Sequence, residues 1–375
     1  MTSEEYHKAI MDIVYLDACA VNGMTPASER VRKMDIANLY NAAEWHLLTG
    51  ITAMALESAG IKDDAFTEAK GKAIRKVAAF DLERMALFNA MEKAGIWYMP
   101  LKGAVLKGLY PKIGMRQMSD NDILYDASRA AEVRTIMESL GFSTEPGFGL
   151  GAHDSYYKQP VCNFEMHRTL FAANPGEEIR AYYENVKDRL QKDSGSEYAY
   201  HFSDDDFYVY MMAHEYKHYS GGGTGLRSLL DTYVFLKKHE EGLDWEYVSQ
   251  ELEKLGIKDF ECKNRSLALH LLGEEPLSIE DNDMLEYIIS SGTYGTVNNR
   301  VANGIEKKGG GLSGKIRYFL TRVFLPLDIV RAAYPTFIKY PVLLPFLPVY
   351  RAFIGLTVRR RKMSAEIKAI VKHKK

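Results

Sequence analysis

The alternation of apolar and polar positions divides the chain into four stretches. Residues 1–95 repeat apolar side chains at helical spacing, as in Ile10, Ile13, Val14 and Leu16, the period of an amphipathic helix. Ser28 is placed to cap a second helix running to about Leu48, with Gly50 near its end. Asp64 is placed to cap a third, running from Phe66 to Ala94 and stopping at Gly95. Residues 96–175 change period. Ile96 to Pro100 reads as a short apolar strand, and Ala104, Leu106, Leu109 and Tyr110 predict a short helix. Asp120 to Leu124 reads as a second strand, Ser128 to Leu140 as a helix ending at Gly141, and Phe142 to Gly151 as turn-rich. From Val161 to His167, Glu165 and His167 share one face and Phe164 and Met166 the other. That alternation predicts a half-buried strand with its polar face in a cleft. Residues 176–305 read as helical again, and 306–375 open on the break Gly309-Gly310-Gly311. The expected fold class is α+β: a small mixed β-sheet in 96–175 flanked by largely helical regions. Those are a platform (1–95), a domain closing the cleft (176–305) and a basic, apolar C-terminal segment (306–375).

Composition narrows this reading. At 375 residues the chain exceeds one ordinary core, so two or three subdomains are expected. With 46% hydrophobic and 26% charged residues it is globular. Cys19, Cys162 and Cys262 lie far apart and form no C-x-x-C pair, against a disulfide framework or structural zinc site. The first ten residues carry no basic region followed by an apolar core, so no secretory signal is expected, and the expected location is the cytoplasm. The net charge of −2 conceals an asymmetry: residues 301–375 hold 16 Lys and Arg against three acids. The run Tyr340 to Tyr350 contains Pro341, Pro345 and Pro348 and is too interrupted for a spanning helix. With Arg359-Arg360-Arg361-Lys362 after it, the expected reading is an apolar run packed on the body with its cations solvated. The alternative is weak association with an anionic membrane or polyanion, at the inner membrane face.

The candidate chemistry lies between Met99 and His167. On a strand, Asp120 and Asp122 point the same way, and two carboxylates aimed together repel unless a cation sits between them. Mg²⁺ prefers oxygen ligands and shares them with substrate phosphates. Gly103 at a helix start lets backbone approach a phosphate, and Lys102, Arg116 and Ser119 lie near enough in sequence to join it.

These residues resemble the nucleotidyltransferase superfamily, and more closely a poorly characterised bacterial nucleotidyltransferase family. The resemblance rests on Pro100-Leu101-Lys102-Gly103, Leu109-Tyr110-Pro111, Arg116 to Asp122, and Glu165-Met166-His167. The wider superfamily has Gly-Gly or Gly-Ser where this chain has Lys102-Gly103. The resemblance implies a Mg²⁺ (or Mn²⁺) enzyme that transfers a nucleotidyl group from a nucleoside triphosphate to an unknown acceptor hydroxyl. Asp120, Asp122 and Glu165 would be catalytic and hold the metal; Lys102, Gly103, Arg116 and Ser119 would bind the nucleotide. His167, His214, Lys217, His218 and Arg227 would line the acceptor side, since the family also shows His-x-x-Lys-His, then Arg and Leu-Leu-Asp.

Two other function classes compete. One is a binding protein of the same fold without chemistry, motivated by the Lys102-Gly103 departure. The other is a zinc metalloprotease, since His214-Glu215-Tyr216-Lys217-His218 is a literal H-E-x-x-H. No third histidine follows at metzincin spacing, where Thr224 stands. Ser220 to Gly225 lacks the Gly-Lys-Ser/Thr of a P-loop and reads as a mobile connection.

Overall fold

The structure, a computed structural model, describes residues 1–144, 149, 151–171, 176–357 and 360–373. They form two compact units: residues 1–216 with 225–293, and residues 217–224 with 294–375.

The first unit is α+β. A five-stranded sheet runs in the order β1 (Tyr98–Pro100), β2 (Asn121–Tyr125), β5 (Cys162–His167), β4 (His153–Lys158), β3 (Ser143–Thr144). β2 and β5 are parallel, and every other neighbouring pair is antiparallel. One face is filled by Ile123, Tyr125, Phe164, Met166 and Tyr156. They pack on Phe80, Leu87 and Met91 of the helix Asp64–Ala94 and on Val133 and Met137 of the helix Ala130–Ser139. The opposite face contributes Met99 and Leu124 to a second core with the helices Asp204–Gly221 and Leu226–His239. That second core takes only Met99 and Leu124 from the sheet, so toward β4 the face stays partly open, with the His153 side chain 38% and the Glu165 side chain 31% exposed.

Local signals account for most element ends. The 31-residue helix Asp64–Ala94 begins where the Asp63 side chain accepts the Phe66 N–H and stops at Gly95 with φ +68°, the left-handed stop that glycine adopts without strain. Its cap is therefore Asp63, one residue before the expected position. The helix expected from Ser28 to Leu48 is broken: Ser28–Val31 is one turn, Asp35 caps a new helix Ile36–Trp45, and Leu47 takes φ +56°. Gly50 then lies inside the following helix, Thr49–Ser58, where the Gly114 carbonyl comes so close that no Cβ fits. β4 was not anticipated. Its sequence His-Asp-Ser-Tyr-Tyr-Lys shows no apolar alternation, and Asp154 is buried through an ion pair with Arg168 (2.6 Å). The ribbon Leu190–Lys192 with Tyr200–Phe202 inside the expected helical region was also missed. Of the turn-rich stretch between Phe142 and Gly151, residues 145–148 and 150 lie outside the described residues, as does Arg359 of the basic cluster.

The second unit contains the end of the helix Asp204–Gly221, then the helices Val297–Glu306, Gly311–Val323, Leu327–Ala333, Pro335–Lys339, Leu347–Thr357 and Arg360–Lys372. Val301, Ile305, Tyr318 and Ala369 form its small core. Gly222 to Thr224 are buried rather than looped out, with the Gly222 carbonyl accepting the Thr296 N–H (3.0 Å), so the mobile connection expected here is a packed turn. No helix among the described residues is long and apolar enough to cross a membrane.

Candidate active site

Strand register assembles the acidic pair. Asp122 stands beside Glu165 across the parallel β2/β5 pair, and Leu124 beside His167. Their neighbours Ile123, Phe164 and Met166 are committed to the core on the other face, so Asp122, Glu165 and His167 are displayed together and half-buried. β4 brings His153 opposite His167. His167 Nε2 lies 3.0 Å from Asp122 Oδ1 and 3.6 Å from Glu165 Oε2. His153 Nε2 lies 3.4 Å from Glu165 Oε2, and the two imidazole rings are 4.9 Å apart. Burial works against charge on His167, but hydrogen bonds and attraction from Asp122 and Glu165 outweigh it and raise its pKa to about 9. Its Nδ1 is buried without a hydrogen-bond partner among the described residues.

Asp120 lies one residue ahead of β2 rather than within it. Burial, then the charges of Asp122 and Glu165, push its carboxyl up to about 7, while Arg227 and Arg116 pull the other way. Three carboxylates within electrostatic reach of one another, all oxygen donors, are the donor set a hard divalent cation takes. The set suits such an ion in charge and ligand chemistry, but its oxygens do not gather within 4.8 Å of one another as the ligand atoms of His153, Glu165 and His167 do.

The turn leading into Asp120 is held from behind by cations. Lys76, on the long helix, donates to the Ser119 carbonyl (2.8 Å), and Arg227 donates to the Gln117 carbonyl (3.0 Å). Burial lowers the pKa of both, and Asp120 partly restores that of Lys76. The Gln117 side chain in turn accepts from Thr49 Oγ1 and the Gly50 N–H, each at 3.1 Å. Arg116 is not a surface cation. It is 5% exposed and grips Asp231 with Nε (2.7 Å) and Nη2 (2.8 Å), while Tyr110 Oη donates to the same carboxylate (2.8 Å). Gly103 is explained here too: a Cβ there would meet Arg116 Nη1 at 2.9 Å and the end of Met118.

Lys102 faces Glu215 (3.4 Å), the glutamate of the H-E-x-x-H stretch. Glu215 is 1% exposed and also accepts from Thr232 (3.2 Å) and Asn264 (3.1 Å). Burial pushes its pKa up to about 7 against the pull of Lys102. A glutamate sealed into such a network has no route to a metal-bound water, so the protease reading gains no support. His214 shares that helix with Glu215, whereas Lys217 and His218 belong to the second unit. Among the described residues the group with ligand atoms within 4.8 Å of one another is His153, Glu165 and His167.

The register thus brings Asp122, Glu165 and His167 together, with Asp120 beside them. Lys102 and Arg116 are paired with the buried Glu215 and Asp231, Gly103 lies against Arg116 and Met118, and Arg227 donates to the Gln117 carbonyl. His153, Lys76 and Arg84, which donates to Asn121 Oδ1 (2.8 Å), were missed by sequence reasoning. Only recognition of β4 could have flagged His153, and nothing in the sequence marks Lys76 or Arg84 on so charged a helix.

A family model described as an uncharacterised nucleotidyltransferase matches residues 32–273. No curated protein and no solved structure matches the chain.

Proposed function

The chain belongs to the uncharacterised nucleotidyltransferase family, and on that premise we propose that it is a Mg²⁺-dependent enzyme moving a nucleotidyl group from a nucleoside triphosphate to an acceptor hydroxyl. The observation that carries this is the side-by-side register of Asp122 and Glu165 across two parallel strands, with Asp120 at the entrance to β2. Asp120, Asp122 and Glu165 would hold Mg²⁺ (or Mn²⁺), which when bound neutralises phosphate charge. The residues themselves mainly position groups, as this chemistry requires. His167 keeps a proton at Nε2 between Asp122 and Glu165 and so fixes the orientation of both carboxylates. Glu165 would either complete the metal position or take the acceptor's proton as the acceptor oxygen bonds to the α-phosphorus and pyrophosphate leaves. Lys76 and Arg227 keep the turn at 117–119 in place, and Arg227 adds positive charge behind Asp120.

Thermal-shift titration with each nucleoside triphosphate, with and without Mg²⁺, and assay of pyrophosphate release test the proposal. Metal-dependent stabilisation by a nucleotide is expected; its absence for all of them would refute the reading. A second reading, a nucleotide-binding protein without chemistry, is favoured by one feature: the cations Lys102 and Arg116 are already paired with Glu215 and Asp231. It predicts metal-dependent nucleotide binding with no pyrophosphate released under any acceptor.

A further inference from the structure

Burial is inverted in the second unit. Among the described residues of the chain, 28 large apolar side chains are exposed, and 17 of them lie between Leu312 and Val371. They are not scattered. In the helix Gly311–Val323, Leu312 (74% exposed), Ile316, Phe319 and Leu320 fall within an arc of about 100° at the helical period. The opposite side carries the buried Gly314 and Tyr318, and Lys315 and Arg317 flank the apolar arc on either edge. In the helix Leu347–Thr357, Val349 (68% exposed), Phe353 and Leu356 fall within an arc of about 60°. The helix Arg360–Lys372 adds exposed Ile367 and Val371 beside Arg360, Lys368 and Lys372. Between these helices lies a cavity of about 310 Å³ lined by Phe319, Tyr334, Ile354, Ile367, Arg322 and Arg351.

We propose that this outward apolar surface docks on an anionic lipid bilayer, with the helices lying in the headgroup plane. Charge complementarity selects the occupant. The stretch 301–375 carries 16 Lys and Arg against three acids, and short helices with an apolar face bordered by cations bind where apolar burial and attraction to anionic headgroups add. Helices of 13, 11 and 13 residues are too short to span, so the unit lies on the bilayer rather than across it.

The test uses the full chain and vesicles of phosphatidylcholine alone or with about 30% phosphatidylglycerol, read by flotation at low and high salt. Binding to the anionic vesicles should exceed binding to the neutral ones at least ~10-fold and weaken with salt. The double substitution Phe319→Ser with Phe353→Ser, at exposed positions, should lower it at least ~10-fold with unchanged circular dichroism. No binding, equal binding to both vesicle types, or binding indifferent to the double substitution would overturn the proposal. So would a dimer in light scattering that the double substitution dissolves, which would make a second copy the occupant. Retained affinity for an RNA homopolymer with no vesicle binding would make the partner a polyanion. None of these outcomes depends on nucleotide binding by the first unit.

Discussion

Replacing Asp231 by Asn should be among the most destabilising conservative changes in the chain. Asp231 is 1% exposed and Arg116 5%, and the carboxylate accepts two guanidinium hydrogen bonds and one from Tyr110. The amide keeps the shape, but its NH₂ group turns a donor toward Arg116 or Tyr110 and the negative charge disappears. Arg227 already loses charge stability to burial and to its neighbour Arg116 and regains some from Asp231 and Asp120, so two buried guanidiniums would then be left with only Asp120 as a nearby carboxyl. Breaking a buried pair from one side costs about 3–5 kcal/mol. The first unit holds roughly 285 residues, so its unfolding entropy is about 0.6 kcal/mol/K and the fall in Tm about 5–8 °C. Urea denaturation and calorimetry of the full chain measure both. The double change Arg116→Met with Asp231→Leu should be milder than Asp231→Asn, because it removes both charges and leaves only Tyr110 without its acceptor, about 1 kcal/mol. A loss below about 1 kcal/mol for Asp231→Asn, or strict additivity of the Arg116 and Asp231 changes, would refute the reasoning.

Asp122→Asn should leave the fold intact and reduce turnover at least ~10²-fold. Asp126→Asn should do almost nothing, because Asp126 only caps the turn at Ser128 and Asn caps as well; equal small effects of the two on pyrophosphate release would misplace the site. Stability should fall on acidification through His46, which is 0% exposed and held by burial at about pKa 4, below its usual 6.5. As pH drops from 6.5 the unfolded chain takes the proton first, so stability present above pH 6.5 is lost progressively down to pH 4, about 3 kcal/mol in all. Denaturation midpoints of wild type and His46→Gln between pH 7 and 4.5 should therefore converge, and parallel curves would refute the assignment. Gly50→Ala should cost about 1–3 kcal/mol, because the new Cβ meets the Gly114 carbonyl. It should also weaken nucleotide binding by displacing the turn; a thermal shift within 1 °C of wild type would count against that.

The sheet centre was legible because β5 alternates strictly and Asp-x-Asp stands beside apolar Ile123 and Leu124. β4 was not, because a strand covered on one face and lined by His153, Asp154 and Ser155 carries its polar residues on both sides. The partners of Lys102 and Arg116 were not legible for a different reason. Sequence shows a cation near a glycine turn, but its partner lies 113 or 115 residues later on helices whose docking no local pattern specifies. The C-terminal segment reversed the problem: its apolar run was visible, whereas the exposure of the apolar faces depends on how little of the unit is left to cover them.

The turn before Asp120 is fastened mostly by its main chain. Lys76 grips the carbonyl of Ser119 and Arg227 that of Gln117, and the Leu101 N–H donates to the Asp122 carbonyl. None of these bonds depends on which side chain residue 119 carries. Shape and identity are thus inherited separately along this turn. A lineage can exchange the side chain at this position while the path of the chain is held by anchors elsewhere. The same separation makes position 119 a natural place for a saturation library, since these three main-chain bonds remain available to every member.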